Sequence, residues 1–201
     1  MMFKNVPTLA QLIRTLQKVP YLSSKNIYRV ASYFLHFSDE QVDAFCAVLK
    51  KAKQNIVHCD VCFNWREKEG VCVFCTSSKR DQSIICILET WQDVLTIERT
   101  EGFEGVYHIL GGVICPLDGI GPDDLTIDAL IKRVKKKDIK EIILALNQTP
   151  EGEATSAYIN KKLHNCDVIV SCLARGIPVG SSIETMDRLT VYKALSERRP
   201  F

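Results

Sequence analysis

Apolar residues recur at helical spacing through the first fifty or so positions and then gather into short continuous runs. That change of rhythm divides the chain. From Thr8, the residues Leu9, Leu12, Ile13, Leu16 and Val19 fall three and four apart, with Thr8 placed to cap a helix and Pro20 to end it. After the break Tyr21-Leu22-Ser23-Ser24 the same spacing resumes in Ile27, Val30, Ala31 and Phe34. A third helix is predicted from Asp39, with Val42, Phe45, Cys46 and Leu49 on one face.

Beyond this helical part the apolar residues run together. Ser83 to Leu88 and Ile142 to Leu146 are continuous apolar segments bounded by polar positions, and Val168 to Leu173 is a third. Runs of this length suit strands covered on both faces, as in a mainly parallel sheet. Helical patterns at Trp91–Ile97, Leu125–Val134 and Ala154–Leu163 alternate with them, which predicts an α/β unit. No apolar run approaches the roughly 20 residues that span a bilayer, and Met1 to Pro7 lacks the hydrophobic core of a secretory signal. The expectation is a cytosolic protein with no membrane association.

The composition, 46% hydrophobic and 25% charged, is that of a globular chain and names no function. A net charge of +2 conceals an asymmetry: residues 1–80 carry 12 Lys/Arg against 6 Asp/Glu, and the remainder 14 against 18. A basic first part is a footprint for a polyanion, although ordinary solvated surfaces carry the same signature. The basic run Lys132, Arg133, Lys135, Lys136, Lys137 and Lys140 lies on a predicted helix whose apolar side is Ile127, Leu130, Ile131 and Val134. It reads as a solvated face.

Nine cysteines, an odd number with no export signal, point to reduced thiols and a metal site and away from disulfides. Four fall in the spacing Cys59-x2-Cys62, nine residues, Cys72-x2-Cys75. Two such knuckles offer four thiolates at about 2.3 Å to one tetrahedral Zn²⁺, which closes the shell and makes the site structural. The competing reading is paired core or redox cysteines. His58 adjoins the first cysteine but is not needed, because the four sulfurs complete the tetrahedron. Lying between the helical and α/β parts, the zinc is expected to set the angle between them.

Glu89 and Asp93 follow the first predicted strand, and Glu151-Gly152-Glu153 follows the second; strand ends are where α/β proteins place ligand sites. Converging carboxylates there suit Mg²⁺, whereas acids at helix starts also occur simply because the dipole favours them. Gly111-Gly112, Gly176 and Gly180 are not followed by Gly-Lys-Ser/Thr, so no P-loop is present.

The order of these pieces carries a resemblance. It is densest in Gly105-Val106-Tyr107-His108-Ile109-Leu110-Gly111-Gly112, in Cys115-Pro116-Leu117-Asp118-Gly119-Ile120-Gly121-Pro122, in Glu151-Gly152-Glu153-Ala154-Thr155, and in Ala174-Arg175-Gly176-Ile177-Pro178-Val179-Gly180. Together with the four-cysteine segment and Lys79-Arg80-Asp81, these strings resemble the RecR family of bacterial recombination mediators over nearly the whole chain. The resemblance implies a multidomain α+β protein: a helix-hairpin-helix domain at 1–55, a four-cysteine zinc finger at 56–78, an α/β Toprim domain with a mainly parallel sheet at 79–178, and a C-terminal segment at 179–201 for subunit contacts in a ring, expected to be a tetramer.

It further implies a cytoplasmic, nucleoid-associated protein that is not an enzyme. Such a protein binds single- and double-stranded DNA without sequence preference and acts with RecO and RecF to load RecA at gaps in damaged DNA. Lys25 and Arg29 stand at the family's DNA-contacting positions, and Glu89, Asp93, Glu151 and Glu153 at its partner surface, chiefly for RecO. Catalytic Toprim relatives carry Asp-x-Asp before Glu-Gly-Glu. Here those positions are Asn147 and Thr149, so Mg²⁺ would be held weakly. The alternative is a Mg²⁺-dependent Toprim nuclease or topoisomerase-like enzyme. The chain also departs from the family at the hairpin, where Pro20-Tyr21-Leu22-Ser23-Ser24 contains no glycine to bring backbone N–H groups close to phosphate.

Overall fold

The computed structural model describes residues 5–136, 138–198 and 200, and the chain divides into two compact units, Met1–Ile56 and Val57–Phe201. The first unit is helical. α1 (Pro7–Leu16) has proline in its first turn, where the missing N–H costs nothing. α2 (Ser24–Leu35) packs on α1 through buried Ile13, Ile27 and Ala31, with Leu9, Leu12, Leu16 and Leu22 around them. α3 (Asp39–Asn55) opens on a capping box: Gln41 N–H donates to Ser38 Oγ at 3.3 Å, and Ser38 N–H donates to Gln41 Oε1 at 2.9 Å. The apolar face expected on α3 is present, but no residue of the helix is buried, and Val42, Phe45, Val48 and Leu49 are exposed.

The second unit begins with a two-stranded sheet, β1 (Ile56–His58) and β2 (Trp65–Glu67), followed by β3 (Asp81–Leu88), α4 (Trp91–Glu98), β4 (Gly105–Ile109), α5 (Ile127–Lys136), β5 (Glu141–Leu144), α6 (Pro150–Leu163), β6 (Ile169–Cys172) and α7 (Arg188–Ser196). The main sheet is wholly parallel in the order β4-β3-β5-β6. β3 lies inside it, which explains why its run is apolar on both faces. Ile85 and Ile87 join α5 and α6 residues such as Leu130, Val134, Ile159 and Leu163 in the larger core. Their neighbours Cys86 and Leu88 join Val94 of α4, Tyr107 and Ile109 in a second core on the other face.

β4 is the strand that periodicity does not reveal, because a tyrosine and a histidine interrupt a five-residue segment. Every residue of it is nevertheless buried. Gly105 is required there: a Cβ would stand 2.8 Å from the Ile84 carbonyl and 2.5 Å from the Phe103 ring. Arg80 ties the preceding loop to this strand. It donates to the Gly105 carbonyl at 3.0 Å, pairs with Glu98 at 2.5 Å and covers the Phe74 ring at 4.8 Å.

His108 is fully buried, with Nε2 3.1 Å from the Thr126 carbonyl and 3.0 Å from its hydroxyl. Burial pushes its pKa down to about 3, with the Arg133 charge adding to the effect. The unfolded chain therefore takes up a proton that the folded one refuses. This contribution to stability is complete above about pH 6.5 and is lost as pH falls from there toward 3. We predict that His108→Gln, which cannot titrate, reduces the slope of unfolding free energy against pH in that window by about one proton, or roughly 1.4 kcal/mol per pH unit. Denaturant titrations across the window would count against this assignment if wild type and variant gave parallel curves.

Candidate metal centre, acidic positions and nucleic-acid face

The segment between β1 and β3 builds its own turns before any metal is considered. Cys59 N–H donates to the Asn64 carbonyl at 2.8 Å and Phe63 N–H to the Cys59 carbonyl at 2.9 Å, while Val61 N–H points at Cys59 Sγ at 3.4 Å. Arg66 Nη1 gathers the carbonyls of Glu67, Lys68 and Gly70 at 3.0, 2.9 and 3.2 Å, shaping the link between the two cysteine pairs. The Sγ atoms of Cys59, Cys62, Cys72 and Cys75 then lie within 4.8 Å of one another, with Cys62–Cys72 at 3.4 Å and Cys59–Cys75 at 3.9 Å. Sulfurs bonded at about 2.3 Å to one tetrahedral ion are about 3.8 Å apart, so the donor set fits a metal ion of that kind.

Hydrogen bonds from Cys62 and Cys75 hold Cys72 far below the usual thiol range, and the same contact with Cys72 pushes Cys62 up. His58 stays outside the cluster, stacked on Trp65 at 3.7 Å with Nδ1 2.9 Å from the Phe63 carbonyl. Among the described residues this is the sole group of three or more His, Cys, Asp or Glu side chains placed to share an ion.

The knuckle belongs to the second unit and is seated on β4. Ile109 N–H donates to the Cys62 carbonyl at 2.9 Å, Phe63 meets His108 edge-on at 5.2 Å, and Phe74 meets Tyr107 at 5.0 Å. The Ile109 bond occupies the outer edge of an edge strand, which would otherwise present an unpaired backbone group there.

Among the described residues the four acidic positions do not form a group of three or more placed to share an ion. Glu89, at the end of β3, is 9% exposed, and both its oxygens are occupied: Asn147 N–H donates at 2.6 Å and Asn147 Nδ2 at 2.8 Å. Asp93 is turned to the start of α4, where it accepts from the Thr90 N–H and hydroxyl, each at 2.8 Å. Glu151 lies in the first turn of α6. Glu153 is bound to Lys193 of α7 at 2.5 Å and to Arg175 at 3.4 Å, and the Lys193 hydrogen bond holds its carboxyl below the usual range.

The two departures from Asp-x-Asp thus have structural work of their own. Asn147 clasps Glu89, and Thr149 caps α6 by accepting the Gly152 N–H at 3.1 Å. That cap and Pro150 start α6 four residues before Ala154, where periodicity alone placed it. Gly152 permits the close approach, since a Cβ there would lie 2.1 Å from the Asn147 carbonyl oxygen.

On α2, Lys25 and Arg29 are both exposed and one turn apart. The helix start beside them carries no acidic residue and no capping side chain. In the turn before it Tyr21 adopts φ +63°, so a tyrosine occupies the left-handed conformation that favours glycine. The basic run is corrected at one position: Lys132, Lys135 and Lys136 of α5 and Lys140 beyond it are not buried, but Arg133 is, and Lys137 lies outside the described residues. Periodicity carried the missing signal, because Arg133 stands three residues after Leu130 and so falls on the buried side.

Residues 83–174 match the Toprim domain family, and residues 176–199 match the family described as RecR, C-terminal. The chain is 40% identical to the recombination protein RecR of Parabacteroides distasonis, over 96% of this chain and 92% of that one. It is 42% identical to that of Chloroherpeton thalassium over 93% and 94%, and 40% identical to that of Tropheryma whipplei over 96% and 98%.

The Asn147 clasp yields a stability prediction. Asn147→Ala removes one charge-assisted bond from a buried carboxylate and should cost about 2 kcal/mol. Gly152→Ala, which in an ordinary helix would gain roughly 0.5–1 kcal/mol, should instead destabilise. Denaturant midpoints unchanged in both variants would show that the clasp does not hold.

Proposed function

The chain belongs to the RecR family of recombination proteins, and from that premise we propose that it is a non-enzymatic DNA-binding mediator. In this reading it holds one structural zinc ion through Cys59, Cys62, Cys72 and Cys75, and it acts with RecO and RecF to load RecA at gaps in damaged DNA. The observation that carries the non-enzymatic part is the clasp of Asn147 on Glu89: a carboxylate with both oxygens engaged by an amide is poorly placed to direct a lone pair at a divalent ion. Glu153 is likewise engaged, by Lys193 and Arg175. The supply of Mg²⁺ ligands that phosphoryl transfer needs is correspondingly poor.

Lys25 and Arg29 are the phosphate contacts of this proposal, supported by the uncapped start of α2 beside them, whose N–H groups also favour an anion. Glu151 and Asp93, with what remains open around Glu89 and Glu153, form the acidic surface offered to RecO. The helix-hairpin-helix domain is assigned to 1–55, the zinc finger to 56–78, the Toprim domain to 79–178 and the subunit-contact segment to 179–201. A tetrameric ring would cover the apolar face of α3 and the exposed Ile183, Leu189, Tyr192 and Leu195 near the C-terminus. No helix among the described residues is long and apolar enough to cross a membrane. The site of action in this proposal is the cytoplasm, at the nucleoid.

Two measurements test it. DNA affinity titrated against salt should fall for Lys25→Ala with Arg29→Ala, and the slope of log affinity against log salt should drop by about 1 to 2, roughly one unit for each phosphate no longer neutralised. An unchanged slope would remove these residues from the interface. Supercoiled plasmid incubated with protein and Mg²⁺ should stay intact, and nicking abolished by Glu89→Gln would establish the enzyme reading in its place.

A further inference from the structure

Arg133 is only 7% exposed, yet among the described residues its hydrogen bonding is confined to Nη1, which donates to the Tyr107 carbonyl at 2.7 Å, while Nε and Nη2 meet no acceptor. No carboxylate among those residues lies within ion-pair distance of it. A buried guanidinium without a counter-charge is expensive. Lys132 and Lys136 share its cleft and worsen the balance; Asp60, at the same cleft, is held by Arg66 at 3.4 Å.

The cleft also contains Val61, so Arg133 faces the two residues that separate Cys59 from Cys62. The Tyr107 carbonyl it holds is on the same strand edge as Ile109, whose N–H takes the Cys62 carbonyl. Four thiolates around one Zn²⁺ leave a net charge of −2, a large negative charge on the segment that lines this cleft.

We propose that Arg133 is the counter-cation of the zinc tetrathiolate and, through Tyr107, the tie that fastens the metal-bearing knuckle to the sheet edge. The balance of forces on the guanidinium agrees: desolvation pulls its pKa down, and all four cysteine sulfurs pull it back up. The role is one of positioning and charge compensation, and it rests on the zinc reading above.

Zinc affinity of the full chain, measured by competition with a chromophoric chelator, tests both separately. Wild type should hold one zinc per chain; a wild type without zinc overturns the metal reading and this inference together. Arg133→Met should weaken zinc about 10- to 100-fold, the usual cost of losing a group that supports metal ligands, and Arg133→Lys, which keeps the charge, should restore most of it. If Met and Lys variants hold zinc equally weakly, or the Met variant holds it as wild type does, the counter-cation role falls while the zinc site stands. Should the variants at 133 not fold, Ala129→Asp, one turn before Arg133 in the same cleft, neutralises the cation in place. It should weaken zinc several-fold where Ala129→Asn does not, and equal affinities in that pair overturn the idea.

A different observation carries a second inference. The left-handed backbone of Tyr21 is unfavourable for a side chain with a Cβ, and its ring is fully exposed, so no packing offsets the strain. Exposed Lys25 and Arg29 follow on the adjoining helix. We infer that Tyr21 is a stacking platform for an unpaired base of single-stranded DNA whose backbone is followed by those two cations.

Glycine suits this backbone, so Tyr21→Gly should fold at least as stably as wild type. It should lose about fivefold or more in affinity for a thymidine oligonucleotide, with an unchanged salt slope and unchanged duplex binding, while Tyr21→Phe keeps the affinity. No loss, or an equal loss on single strand and duplex, overturns the stacking role. A wild type that binds no DNA overturns it together with the DNA-binding reading.

Discussion

The interaction on which the second unit depends is the closure of the β4 edge by a segment that has almost no hydrophobic core of its own. β4 is the outer strand of a four-stranded parallel sheet, and its Ile109 N–H and Tyr107 carbonyl face outward. The cysteine knuckle takes the first and Arg133 the second. A stretch this short holds such a shape only when something other than apolar burial organises its interior, and four sulfurs within 4.8 Å of one another are suited to a metal ion for that purpose. The four-cysteine donor set and the protection of the sheet edge therefore reside in one short segment.

At the end of β3 lies the position where the Toprim resemblance places an acidic residue. Glu89 keeps its place at the end of β3, but an amide takes the position where catalytic relatives carry a second carboxylate, and Asn147 donates to both Glu89 oxygens. Gly152 lets α6 come close enough for the turn bearing Asn147 to reach across. Both Glu89 oxygens are thereby committed to hydrogen bonds inside the protein.

Apolar surface left uncovered by a single chain points the same way. The α3 face with Val42, Phe45, Val48 and Leu49 lies in one unit, and Leu189, Tyr192 and Leu195 of α7 lie in the other. Patches of this kind often mark association sites, and the second lies in the segment, 179–201, for which the family resemblance implies subunit contacts.

Much of this was legible before any coordinates. Cysteine spacing, helical periodicity in the first unit and the apolar runs of β3, β5 and β6 are short-range patterns written directly in the residues, and the motif strings identified the family. The sequence also exposed the loss of Asp-x-Asp and of the hairpin glycines. Tertiary structure alone decided what those losses mean. Glu89 and Asn147 are 58 residues apart, and nothing local says that one satisfies the other. Asp93 and Glu153 read as members of one cluster until each is seen with its own partner. Arg133 reads as one more cation in a basic run until α5 is packed and its guanidinium is seen buried against the Tyr107 carbonyl. Spacing along the chain determines what a residue can offer; pairing across the fold, settled by burial and the need to satisfy buried polar groups, determines what it does.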